Sequence, residues 1–222
     1  MGEVIGDVLP LALGIAISPI PIIATILMLL SPEARSTSLG FLLGWLGGII
    51  VAVVVFTLLS AIIPSEQSDA ARLVAGIIKI VLGALLLLLA IRQWRGRPQG
   101  DDEPELPKWM SALDSMSAGR AVTLGFALAA VNPKNLLLAA SAGVTLGLAA
   151  PAAAAATAAV IFVVIAASTV AAPVIAYLVA SNRLAGSLES LRVWLVHNNA
   201  TIMAVLLLVI GVSVIGKGLG AL

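Results

Sequence analysis

The sequence predicts an all-α integral membrane protein of six transmembrane helices. They form two inverted three-helix repeats in which helices 1 and 4 are broken by proline. Three observations lead there. Of 222 residues, 61% are hydrophobic and only 10% charged, against about 25% charged in a soluble domain. Six apolar segments, roughly 4–30, 38–63, 71–93, 120–147, 152–180 and 193–219, each reach the length of about 20 residues that a bilayer demands. The first and fourth carry polar, proline-containing breaks near mid-depth, which lipid tolerates only where the backbone faces protein or water. Residues 1–222 are one membrane domain: 1–93 the first half, 94–119 a cytoplasmic loop, and 120–222 the inverted second half.

Segment one contains Pro10 and then Ser18-Pro19-Ile20-Pro21. The close prolines withhold two donors, so the carbonyls of Ile15 and Ile17 are expected to lose their helical partners. Segment two follows Ser31-Pro32-Glu33-Ala34-Arg35. Gly40, Gly44 and Gly48 make two overlapping small-xxx-small pairs, which read as a helix-packing face. Segment three carries Lys79 close to its start. A lysine that shallow can snorkel, and Asp7 at the start of segment one is its expected neighbour.

Residues 94–119 are polar. In their second half Trp109, Met110, Leu113 and Met116 share one helical face, the spacing of a short helix lying in the interface. Segment four holds Asn132-Pro133-Lys134-Asn135. A charge at the bilayer centre costs about 2.5–3.5 kcal/mol on insertion scales, and Pro133 removes the donor that Ala129's carbonyl needs. With about eleven apolar or small residues on the near side and a similar run beyond, Lys134 is too deep to reach the interface easily. This stretch reads as part of a site. Segment five is alanine-rich, with Ser168-Thr169 inside and Pro173 after them. Segment six opens on Trp194 and the trio His197, Asn198 and Asn199, which suits interfacial anchoring and is a secondary site candidate, as are Asp7 and Lys79.

Composition also excludes. A net charge of +1, scattered, makes no phosphate-binding face, so no nucleic-acid partner is expected. With no cysteine and one histidine there is no disulfide, thiolate site or multi-histidine metal site, and no cofactor is expected. The N-terminus lacks a basic n-region, so the first apolar run reads as a retained span.

Leu13-Gly14-Ile15-Ala16 before Ser18-Pro19-Ile20-Pro21 is echoed by Leu124-Gly125-Phe126-Ala127 before Asn132-Pro133-Lys134-Asn135. Each half has three spans, so the second half is inserted upside down. Inverted repeats with a broken helix in each half characterise secondary transporters, and the two breaks should meet near the midplane.

The stretch from Leu9 to Ala24 resembles the start of the glycolipid-addressing (GAP, or Sap) proteins. So do Ser31-Pro32, Phe41-Leu42-Leu43-Gly44-Trp45, Gly83-Ala84-Leu85-Leu86-Leu87 leading to Arg92-Gln93-Trp94-Arg95, Pro107-Lys108-Trp109-Met110, and Asn132-Pro133-Lys134-Asn135-Leu136. The resemblance implies the lysine exporter superfamily and a role in moving envelope glycolipids across the plasma membrane. On the residues alone, three readings stand beside one another. The first is a flippase for an anionic or sugar-bearing lipid, with Lys134 pairing the anion, Asn132 and Asn135 meeting sugar hydroxyls, and Ser18, Pro19, Pro21 and Pro133 exposing backbone. The second is a small-solute exporter, disfavoured as proton-coupled because every acidic residue lies in a loop or near a membrane edge. The third is a non-transporting accessory of a larger lipid-export machinery. An enzyme is not expected, since no carboxylate pair, metal set or activated nucleophile lies at depth. A homodimer through small-residue faces is plausible.

Loops one, three and five carry Arg35, Arg92, Arg95, Arg97, Lys108, Arg120, Arg183 and Arg192; the other side holds Arg72 and Lys217. Basic residues favour the cytoplasm, so both termini are predicted outside. A reporter fused after Leu222 should read as extracytoplasmic; cytoplasmic activity there would reverse the orientation.

Overall fold

The computed structural model describes residues 2–60, 69–97, 116–149 and 152–222. The described residues form seven helices: α1 (Gly2–Ala16), α2 (Pro19–Leu29), α3 (Ala34–Ser60), α4 (Asp69–Arg95), α5 (Ala118–Ala130), α6 (Pro133–Gly147) and α7 (Ala152–Leu219). No strand occurs among the described residues. Four stretches are long and apolar enough to cross a membrane: Ala34–Ser60, Leu73–Arg95, Ala152–Val179 and Ala185–Leu219. The pairs α1–α2 and α5–α6, bent by 49° and 60°, bring the count to six if each is one broken span. The expected interfacial helix around Trp109, Met110 and Leu113 lies outside the described residues.

Both breaks follow one rule of local chemistry. Ser18 (φ −74°, ψ 113°) and Asn132 (φ −62°, ψ 122°) are extended and each precedes a proline that opens the next helix. Proline clashes with a helical residue before it but suits the first helical turn, whose donors are unused. The first span is therefore two helices with a joint, the proline break that the sequence led one to expect.

The sixth span starts earlier than position 193, because α7 is assigned as helix without interruption through the basic stretch expected to be loop five. Arg192 instead pairs with Glu189 one turn away on the helix. The two spans of α7 still double back. Thr169 reaches Ala16 and Lys217 reaches Asp7, both on the short α1. A straight helix would hold Thr169 and Lys217 about 70 Å apart.

Small residues set the packing. Gly40 lies on Ala118, Gly44 on Val122 and Gly48 on Phe126 and Ala129, so α3 and α5 run parallel. From the other side Gly125 fits against Phe41 and Trp45, both fully buried. The expected packing face on segment two is thus filled from within the chain. A second glycine seam joins α4 to the second span of α7, antiparallel: Gly76 meets Gly218, and Gly83 meets Gly211. Gly14 on α1 lies against Ile210 and Leu138. Without a hydrophobic drive between helices in lipid, such close approach is what dispersion attraction requires.

A Cβ on Gly44 would overlap the carbonyl oxygen of Val122, whereas one on Gly47 meets only a Phe126 ring carbon at 4.0 Å. Gly44→Ala should therefore cost about 1–3 kcal/mol through overpacking. Gly47→Ala should be neutral or stabilising, since alanine is the better helix former by about 1 kcal/mol. Thermal melting in detergent compares the two; equal losses would remove the packing argument.

Candidate substrate-binding site

The two broken spans are joined at their joints. The Nζ of Lys134, at the start of α6, donates to the carbonyl of Gly14 at the end of α1, 2.8 Å away. Lys134 is 6% exposed. The expected meeting of the two breaks is thus found, but the carbonyl that receives the lysine differs from the pair expected. At the break α1 tightens, and the Ser18 N–H bonds to Ile15 (3.2 Å), three residues back. That fills the vacancy left by Pro19. The group left open is the carbonyl of Gly14, which an unbroken helix would have offered to Ser18. Lys134 takes it. Thr169 donates its hydroxyl to the next open carbonyl, that of Ala16. Three successive carbonyls are thereby satisfied from three different elements, as a water-poor environment requires.

The second break is served by its own asparagines. Asn132 caps α6, its Oδ1 accepting from the Lys134 N–H at 3.0 Å. Asn135 is buried, and its Nδ2 donates 2.9 Å to the carbonyl of Leu128, which α5 leaves open at its end. Asn135 Oδ1 is buried without a partner among the described residues.

Between the joints and the pair formed by α4 and the second span of α7 lies a cavity of about 490 Å³, within the range of about 300–1,000 Å³ typical of small-molecule sites. Of the residues expected at the site, Ser18, Asn132, Pro133 and Lys134 line it. Pro19 and Pro21 are buried behind Ser18 and, like Asn135, are absent from its lining. Of the trio on segment six, only Asn199 turns inward: it lines the cavity, and its Oδ1 is buried without a partner among the described residues. His197 faces outward, and Asn198 donates to the carbonyl of Trp194 in its own helix. Successive helical residues point about 100° apart, so three neighbours cannot share one wall.

Arg92 and Gln93 also line the cavity; the sequence marked them as part of a family-like stretch, and Arg92 as a loop charge, but not as site candidates. The spacing shows that they share a face, though not which way that face turns. Leu89, Arg92, Gln93 and Gly96 stand at i, i+3, i+4 and i+7, one face of α4. The lining thus carries two cations and no carboxylate among the described residues. It also meets the N-termini of α2 and α6, whose partial positive charge favours anions.

A second polar cluster lies toward the opposite end of α1. Asp7, Lys79 and Lys217 line a small hollow with Ser141, Thr145 and Ser213. Asp7 forms its ion pair with Lys217, 2.8 Å away, which corrects the expected pairing with Lys79. Lys217 sits at the end of an antiparallel neighbour packed directly on α1, a partner that loop position alone did not reveal. Lys79 lines the same hollow, half-buried.

A model of the family described as Sap, sulfolipid-1-addressing protein, matches residues 8–220. No curated protein and no solved structure matches the chain.

Asn135→Ala should leave the Leu128 carbonyl buried without its side-chain partner and cost about 1–3 kcal/mol. Asn198→Ala should change stability by less than about 0.5 kcal/mol, since its bond goes to its own outward-facing helix. Melting of the purified variants checks the contrast; a tolerated Asn135→Ala would show that the second joint does not depend on this side chain.

Proposed function

Because the chain belongs to the sulfolipid-1-addressing protein family, we propose that it is a membrane transporter for an envelope lipid with an anionic, sugar-bearing headgroup. One observation carries this reading. The cavity has Lys134 and Arg92 on its wall, two helix N-termini at its edge and no carboxylate among the described residues. Two cations with no carboxylate beside them among the described residues favour an anion in the cavity. Asn132, Asn199 and Gln93 supply donors and acceptors of the kind that sugar hydroxyls need.

The cavity lies at the end of α4 that carries Arg92, Arg95 and Arg97, the side that the basic-residue asymmetry makes cytoplasmic. The opposite end is held by Asp7 and Lys217. Loading from the cytoplasm and release outside would require that ion pair to part while the joints at Ser18 and Asn132 flex. The antiparallel crossing of α1 and α6, with Gly14 against Leu138 and Lys134 and Asp7 near Ser141 and Thr145, supports reading the two halves as inverted. The envelope lipid is the substrate in this reading, and any larger export machinery would receive it at the outer face.

Lys134→Met tests the assignment. Removing the ammonium opens the Gly14 carbonyl, a loss of about 1–3 kcal/mol. It also removes a buried charge whose burial costs several kcal/mol. The second term is the larger, so the variant should insert and fold at least as well as the native protein. Lipid appearance at the outer leaflet, at matched protein levels, should fall sharply. Lys134→Arg should retain part of it, because a planar fork does not place its donors where an ammonium does, and Lys79→Met should be milder. Normal transport by Lys134→Met, with loss in Lys79→Met, would move the site to the other lysine.

A further inference from the structure

The helix pair that walls the cavity, α4 with the second span of α7, carries another hollow on its opposite face. This groove has a volume of about 400 Å³. Buried Ala90 and Ala204 lie in it, flanked by the outward-facing Ile91, Trp94, Val205 and Leu208. Arg95 is its one charged residue. The two hollows interleave along the helices. On α4, Leu89, Arg92 and Gln93 face the cavity while Ala90, Ile91, Trp94 and Arg95 face the groove. On α7, Met203 and Leu207 face the cavity while Ala204, Val205 and Leu208 face the groove. Cavity and groove therefore lie at one depth, and only the seam between the two helices separates them.

That seam is not uniform. Toward its far end, a methyl group on Gly76, Gly83 or Gly218 would press on a backbone carbonyl of the facing helix, so the helices there touch backbone to backbone. Beside the two hollows no glycine makes such a contact: Gly96 meets only carbonyls of its own helix. Helices zipped at one end by glycine, and held at the other by alanines and flexible side chains, part most cheaply at the second end. The mouth of the groove is basic. Arg95 lines it, Arg92 stands on the cavity side, and the Arg97 guanidinium stacks on Trp94, 3.8 Å from the ring centroid.

We propose that this groove seats an acyl chain of the anionic lipid whose headgroup occupies the cavity, and that the α4–α7 seam is the lateral entrance between them. The proposal rests on reading the cavity as a headgroup site. An apolar chain gains little hydrophobic free energy by leaving lipid for a protein groove. The selectivity therefore comes from the arginines at the mouth and from Lys134, and the groove contributes shape.

The test uses the full chain in phosphatidylcholine vesicles containing a phosphatidylglycerol with a photoreactive diazirine on one acyl chain. After illumination, mass spectrometry compares label on residues 88–95 and 203–208 with label on the outward face of α3 around Leu43, Val54 and Leu58, which is equally apolar but lines neither hollow. A several-fold excess on the groove is expected. It should be lost in Ala204→Trp, which fills the floor, and in Ala90→Leu, a smaller change should the first not fold. It should be reduced in Lys134→Met. Even labelling of all outward faces, or an excess that survives both filling variants, overturns the proposal. An excess abolished by filling but undiminished in Lys134→Met overturns the cavity as the headgroup site, and leaves the groove a lipid seat unconnected to it.

Discussion

The bond from Lys134 to the carbonyl of Gly14 joins the two broken spans at their joints, and the candidate site is built around it. Each broken span alone would be intolerable in lipid, since each break opens backbone groups that no water can satisfy. Brought together, the two breaks complete one another. The ammonium of one fills the open carbonyl of the other, and Thr169 from a third element fills the next. The lysine is thereby held beside a cavity instead of being drawn to the interface. A single polar contact thus ties the two breaks together and places a lysine on the cavity wall.

Small residues decide how close the remaining helices come, and hence where space is left. Gly40, Gly44, Gly48 and Gly125 bring α3 and α5 into backbone contact, and that half of the bundle is filled by Phe41 and Trp45. Glycines also lock α4 to α7, but only over part of their length. Where the glycines stop, hollows open on both faces of the pair, one polar and one apolar. The same packing principle, applied over part of a seam, produces both rigidity and a place that can part. The Asp7–Lys217 pair holds α1 to the last span at the opposite end, so polar contacts bracket the molecule at two depths.

Much of this was legible in the residues. Hydrophobic length gave the spans, because a bilayer of fixed thickness reads only length and apolarity. Proline after a polar residue placed both joints to within a residue or two, because the steric effect of X-Pro is local. Gly40, Gly44 and Gly48 declared a packing face, and the cost of a lysine and of proline breaks in lipid pointed to Ser18, Asn132, Pro133 and Lys134, which line one cavity. Local chemistry determined all of these.

The choice of partners belonged to the tertiary structure. That Gly14, and not Ile15, offers its carbonyl follows from how tightly α1 closes before Ser18. That Asp7 pairs with Lys217 follows from which helix end lies beside it. Arg92 and Gln93 entered the cavity wall because α4 turns that face inward, a rotation that its nearly all-round apolar sequence does not encode. Asn199 turned inward while His197 and Asn198 did not, for the same reason. In lipid, a helix apolar on every side carries no mark of which side is buried. Sequence could therefore determine that polar groups at depth must be satisfied, while only the packing of small residues decided which group satisfies which.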